Sequence, residues 1–248
     1  MEIQWIITDS DISKVKTFYE MHKDNPLVLN RIKRNINGNI PEVTKDIFWK
    51  ELITCLLSTQ QRSGPKSPIT KFVCTKPFLL DYSLCESQSD LKKFIEKTIT
   101  DFGGIRRGKT ISEEASLNYN WLNNGGWEEI FGIIGDLKKS PTNETELECI
   151  ETLIDNLRGF GPKQSRNLLL GLGLTRYEVP IDSRITKWLN EFGFPILLSA
   201  TALADRNYFN FVSEGFQQIC KACDISPCVL DATIFSSFDT EKWSDENM

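Results

Sequence analysis

The run Leu157-Arg158-Gly159-Phe160-Gly161-Pro162-Lys163-Gln164-Ser165 constrains this chain more than any other segment. Before it, apolar residues at Leu147, Ile150, Leu153, Ile154 and Leu157 recur at helical spacing. Asn143, with Glu146 three residues on, reads as the capping box of that helix. Gly159 and Gly161 supply backbone conformations that other residues reach only with strain. Pro162 suits the first position of a second helix, which Leu168, Leu169, Leu170 and Leu172 continue along a buried face. The expected unit is two helices joined by a tight turn whose backbone N–H groups point outward at a helix N-terminus, an anion site that needs no side-chain charge. An ordinary helical corner has the same glycines. What distinguishes this one is the amine of Lys163 at the start of the second helix and the carboxylate of Asp182 in the following Val179-Pro180-Ile181-Asp182-Ser183-Arg184.

The rest of the chain reads as helical, and the expected fold class is all-α. Helices are expected over 10–22, 26–34, 45–58, 68–74, 87–102, 109–123, 127–138, 183–192, 200–222 and 227–238, with 35–41 as a connector and 239–248 as a frayed acidic tail. At 248 residues and 40% hydrophobic, the chain suits one compact unit or two closely packed lobes. It has no apolar run of about 18 residues, so no membrane span is expected. Its N-terminus lacks the basic-then-apolar pattern of a secretory signal.

His22 is the only histidine, so Ser-His and Cys-His schemes and histidine-rich metal sites have no other imidazole to use, and lysine and carboxylates remain as chemical tools. Among the seven cysteines, Cys220, Cys223 and Cys228 resemble part of an iron–sulfur loop, but such a loop needs four thiolates and the position near Ser213 is not a cysteine. Buried thiols and no metal or cofactor are expected. The net charge of −5 argues mildly against a nucleic-acid partner. The basic residues nonetheless cluster: Arg62 and Lys66; Arg106, Arg107 and Lys109; Lys163 and Arg166; Arg184 and Lys187. Acidic residues concentrate over 144–151 and 239–246. That distribution fits a local DNA-binding face on an acidic body.

The hairpin and the aspartate after it resemble the helix-hairpin-helix motif of the base-excision DNA glycosylase superfamily, with Arg158 where a proline is usual and Ser165 where an alanine is usual. Leu56-Leu57-Ser58-Thr59-Gln60-Gln61 is similar to that family's helix end, and Gly103-Gly104-Ile105-Arg106-Arg107-Gly108-Lys109 to its later loop. The four matches occur in the family's order. The resemblance implies a two-lobed helical fold, with 44–174 as one lobe and 1–43 plus 175–248 as the other, and a cleft between them for an extruded base. It implies a monomer acting on double-stranded DNA that contains a damaged base, in the cytoplasm (nucleoid) or nucleus.

The resemblance also implies roles. Lys163 would be the nucleophile that attacks the anomeric carbon and forms a Schiff base. That attack needs an uncharged amine, whereas a free lysine titrates near ~10.4. A dry pocket, the helix N-terminus and cations such as Arg166 would favour the uncharged form. Asp182 would stabilise positive charge developing on the sugar and help orient the lysine; it could also cap the helix that follows, alone or together with that role. Gly159 and Gly161 would bind a phosphate, Ile105 would fill the gap left by the flipped base, and Gln60 would probe the opposite strand. Arg106, Arg107, Lys109 and Arg184 would contact phosphates. The interval between Lys163 and Asp182, the missing fourth cysteine and the run Leu230-Asp231-Ala232-Thr233-Ile234-Phe235-Ser236 look most like the 8-oxoguanine glycosylases. Asp231 would then accept hydrogen bonds from a purine and Phe235 would stack on it. The same chemistry on oxidised pyrimidines, a noncatalytic DNA-binding hairpin and an acidic protein-binding scaffold are the alternatives.

Overall fold

The computed structural model describes residues 4–39, 41–61 and 63–244. Arg62 and the end of the acidic tail therefore lie outside the described residues. Thirteen α-helices follow one another among those described: α1 (Asp9–His22), α2 (Pro26–Arg31), α3 (Lys45–Leu57), α4 (Pro68–Val73), α5 (Tyr82–Glu86), α6 (Leu91–Phe102), α7 (Gly108–Trp121), α8 (Trp127–Lys139), α9 (Asn143–Asn156), α10 (Pro162–Gly171), α11 (Ser183–Phe192), α12 (Arg206–Cys223) and α13 (Pro227–Ser237). The described residues contain no strand.

Local chemistry sets most of the boundaries. Asn25 and Ser67 cap α2 and α4, each with proline in the first turn, and Asp205 caps α12 through Tyr208 N–H. The helix expected from residue 200 therefore starts only at Arg206, after a short turn at Ala202–Ala204. The helix expected from Ser87 likewise starts at Leu91, because the Asp90 side chain accepts from Lys93 N–H, and the separate helix α5 precedes it. The capping box of α9 is built by Thr142 and Thr145 rather than by Asn143 and Glu146. The expected connector 35–41 begins inside a π-helical turn, Ile32–Ile36, where buried Asn35 donates to the Thr175 carbonyl at 2.8 Å.

The buried apolar side chains form two clusters. One draws on Val43 to Leu174, including Phe48, Trp49, Leu52, Ile53, Ile111, Ile150, Leu168 and Leu169. The other joins Val15 and Val28 to Val179, Ile185, Phe209, Phe216, Leu230 and Ile234. Each fully buried aliphatic or aromatic side chain contributes about 1.5–3 kcal/mol. Helix α10 serves both clusters, giving Leu168 and Leu169 to the first and Leu170 to the second. Its N-terminus, which carries Lys163, is thereby fixed where the two cores meet.

The chain beyond α13 is not frayed where it is described. Asp239 makes a two-pronged ion pair with Arg184, at 3.0 and 3.1 Å, and Trp243 is buried with its indole N–H donating to Asp239 at 3.1 Å. Two aromatic contacts outweigh the entropy of a free end: Trp243 lies against Phe235, and Arg184 lies over the same Phe235 ring.

Candidate active site

The turn before α10 is shaped from outside itself. Asn118 on α7, fully buried, grips Arg158 from both sides: its amide donates to the Arg158 carbonyl at 2.9 Å and its oxygen accepts the Arg158 N–H at 2.7 Å. Phe160 inserts into the first core. Gly159 has φ +82°, and a Cβ there would meet Glu114 Oε2 at 2.7 Å and Leu56 Cδ2 at 2.8 Å. Gly161 differs from the sequence expectation. Its φ of −107° and ψ of −167° are open to any residue, and a Cβ would meet nothing within 4 Å. It opens α10 without a side-chain cap, so the first N–H groups of that helix are left for other partners.

Lys163, half-buried in the first turn of α10, donates to the amide oxygen of Gln164 at 3.4 Å. Gln164 is buried and anchored to α3: its amide nitrogen donates to the Cys55 carbonyl at 2.6 Å and also to Thr59 Oγ1. Asn167 donates to Cys55 Sγ at 3.5 Å. Burial, with Glu51 adding to it, raises the Cys55 thiol well above its usual range, while the nearby Lys163 pulls it down. This thiol stays protonated and unreactive.

The path from α10 to Asp182 is pinned by Glu146, a carboxylate whose sequence position suggests a capping role instead. Glu146 is fully buried and accepts the backbone N–H groups of Arg176, Tyr177 and Glu178 at 2.7, 2.9 and 2.8 Å. Glu178 in turn holds Arg166 at 2.6 Å. Arg166 is therefore not a free cation beside Lys163. It is fully buried, neutralised by Glu178, bonded to Asn210 and stacked on Phe209.

Asp182 caps α11. Its Oδ1 accepts from Arg184 N–H at 2.8 Å and Ile185 N–H at 3.0 Å, and its Oδ2 takes no bond from the described residues. Asp231 on α13 is buried, and its Oδ2 pairs with Arg31 Nη1 of α2 at 3.0 Å. Burial pushes the Asp231 carboxyl up to about 7; Arg31 opposes that, nearby Asp182 adds to it, and Lys163 pulls the other way. Lys163 and Asp182 are thus both within electrostatic reach of a single buried carboxyl. The described residues hold no group of three or more metal-ligating side chains, and Cys220, Cys223 and Cys228 are buried free thiols.

The remaining predicted residues divide. Gln60 is exposed with a left-handed backbone (φ +57°), and Arg106 and Lys109 are exposed. Gln61, not Gln60, organises that loop: it accepts Arg106 N–H at 2.7 Å and donates to the Arg106 carbonyl at 3.0 Å. Ile105 is half-buried and packed on the first core. Arg107 starts α7 in a left-handed conformation (φ +63°) with its guanidinium turned to the Thr59 carbonyl and Glu114. Arg184 is not available to a phosphate as expected, because Asp239, the Phe235 carbonyl and the Phe235 ring already occupy it. One face of Phe235 is correspondingly covered by that guanidinium, at 3.8 Å from the ring centre. Gln61 and Gln164 stand inside two of the sequence motifs but were given no role there, and Arg31 carries no local signal. Glu146 had one: it falls in helical register with Ile150, Leu153 and Leu157, so the spacing already placed an acid on a buried face. A surface groove of about 430 Å³ runs past Ser183, Thr186, Asn190 and Leu198, and neither Lys163 nor Asp231 lines it.

No protein-family model matches the chain, and no curated protein matches it. Solved structures do. The 8-oxoguanine DNA glycosylase of Thermotoga maritima is 15% identical, with a TM-score of 0.69 over 95% of this chain and 99% of its own. The 8-oxoguanine DNA glycosylase of Methanocaldococcus jannaschii is 16% identical, with a TM-score of 0.69 over 95% and 98%. A structure of the Methanocaldococcus jannaschii 8-oxoguanine glycosylase/lyase in complex with 15mer DNA containing 8-oxoguanine is 18% identical, with the same TM-score over 94% and 100%. At these identities the likeness is one of fold, and over nearly its whole length this chain has the all-helical fold of those enzymes.

Proposed function

We propose that this protein is a base-excision DNA glycosylase with abasic-site lyase activity, acting on an oxidised purine such as 8-oxoguanine in duplex DNA. One observation supports the reading: an amine (Lys163) and a second carboxylate (Asp182) both act electrostatically on buried Asp231, and each of the two carboxylates has one oxygen left unbonded by the described residues. We take the two apolar cores as the two lobes, 44–174 and 1–43 plus 175–248. The protein would work as a monomer in the nucleoid or nucleus.

In this reading a phosphate sits on the uncapped N-terminus of α10 and the damaged nucleotide is extruded toward Asp231. Lys163 Nζ bonds to the sugar's C1′ as the glycosidic bond breaks and the base departs with the bonding pair. Asp182 Oδ2 stabilises the positive charge on the sugar. Loss of a proton from nitrogen and opening of the sugar ring give the Schiff base; removal of a C2′ proton then expels the 3′ phosphate and nicks the strand. Gly159, Gly161, Arg106 and Lys109 are the DNA-facing residues on the sequence side of the reading. Gln60 and Ile105 remain candidates for the opposite strand and the vacated gap.

Borohydride added to the protein with an 8-oxoguanine duplex should trap a covalent adduct, and Lys163→Ala should abolish it. Trapping by that variant at the wild-type level refutes the assignment of the amine. A thymine glycol duplex run in parallel distinguishes oxidised pyrimidines as substrate. Salt-sensitive binding without any cleavage would leave only a DNA-binding hairpin.

A further inference from the structure

Arg31 belongs to no motif, yet it makes the ion pair that ties the N-terminal helices to a buried carboxylate within electrostatic reach of Lys163. Its side chain is 16% exposed and that of Asp231 6%. A solvated surface pair would be worth little, but this one is largely withdrawn from water. The contact uses one oxygen of Asp231 only; Oδ1 takes no bond from the described residues. The groups facing Asp231 are Arg31 from α2, Asp182 at the head of α11, Lys163 from α10, and the thiols of Cys220 and Cys228, both raised by burial.

We infer that Arg31 is a specificity-determining residue of the proposed base site: by holding Asp231 Oδ2 it favours the ionised carboxylate and fixes its orientation, with Oδ1 as an acceptor for the extruded base. This rests on the functional reading above. Burial alone favours the neutral acid, and Asp182 pushes the same way. A neutral acid would present an O–H, which meets the N1–H and amine of a guanine-type edge donor against donor. An ionised carboxylate accepts from that edge, whereas the adenine edge puts an acceptor against it. Arg31 therefore acts through Asp231, in selecting the base, rather than on the sugar chemistry at Lys163.

The discriminating measurement is a ratio. Single-turnover excision from an 8-oxoguanine duplex requires recognition of the base, and nicking of a preformed abasic duplex does not. Arg31→Met, which keeps bulk and removes charge, should lower the ratio of excision to nicking by about 30-fold or more, because one partner of a buried charge pair is left alone. Arg31→Lys, which keeps charge but not the fork, should fall between, and it serves if the methionine variant does not fold. An unchanged ratio in both variants overturns the inference. So does a parallel loss of both activities in a variant that melts like wild type, since that would make Arg31 a brace for the whole site. A wild-type protein inert on both duplexes removes the functional reading instead, and the inference with it.

Discussion

The two glycines of the hairpin should respond oppositely to the same substitution. In Gly159→Ala the new methyl group has to occupy φ +82°, a left-handed conformation that costs an L-residue about 1–2 kcal/mol. It also lands 2.8 Å from Leu56 Cδ2 and 2.7 Å from Glu114 Oε2. Glu114 is a flexible, half-buried side chain and can swing away. Leu56 is fully buried in the first core, and shifting it adds an overpacking cost of about 1–3 kcal/mol. The total, about 2–5 kcal/mol, corresponds to a fall in Tm of about 4–20 °C for a chain of this length. In Gly161→Ala the backbone already sits in the extended region and the methyl group meets nothing within 4 Å. Stability should stay within about 0.5 kcal/mol of wild type or rise slightly, because the unfolded chain loses freedom. That alanine would nevertheless crowd an anion approaching the head of α10, so duplex affinity should drop while the melting curve does not. Urea denaturation and anisotropy with a labelled duplex measure the two effects separately. Equal destabilisation by both substitutions, or a larger loss at Gly161, would refute this account of the turn.

Two further outcomes follow from the buried charges. Asp231, Glu51 and Glu146 are each pushed up to about 7, mainly by burial, from ordinary values of 3.8, 4.5 and 4.5. Between about pH 4.5 and 7 the folded chain holds protons that the unfolded chain has released, so stability should decrease as pH rises through that window. The urea midpoint should be lower at pH 8 than at pH 5, and Glu51→Gln should flatten the slope; a midpoint that climbs over that range contradicts the burial of these groups. Asp239→Ala leaves Arg184 without its two-pronged partner and frees Trp243, and should cost about 2–4 kcal/mol in urea denaturation. A truly frayed tail would give no change.

The legible part of this fold is the part written in near neighbours. The helices from Pro68, Pro162 and Pro227 begin where proline in the first turn says they should, and Ser183–Phe192 begins at its aspartate cap. What could not be read is the pairing of charges across the chain. Arg31 and Asp231 are 200 residues apart, and Arg184 meets Asp239 across 55. In the sequence Arg184 is one more basic residue beside a candidate catalytic aspartate, and Asp239 one more acid in a polar tail. Only tertiary packing reveals that they neutralise each other over the Phe235 ring. Counting free cations from sequence therefore overstates the positive charge left for a polyanionic partner, and Arg166, buried against Glu178, is a second case.

The cap made by Asp182 is compatible with the proposed role of its carboxylate. A carboxylate that spends both oxygens on a helix N-terminus has little left for a substrate, and one that caps nothing is poorly fixed. Here both capping N–H groups converge on Oδ1. The cap sets the plane of the carboxylate and leaves Oδ2 aimed away from α11, without a rotamer to freeze when a substrate arrives. Asp182→Asn should separate the two functions. The amide oxygen can still accept the Arg184 and Ile185 N–H groups, so the melting temperature should change by no more than about 1–2 °C. The neutral side chain cannot stabilise a cationic sugar, so the excision rate should fall by about 100-fold or more. A fall in melting temperature as large as the loss of a cap, with excision retained, would return Asp182 to a purely structural role.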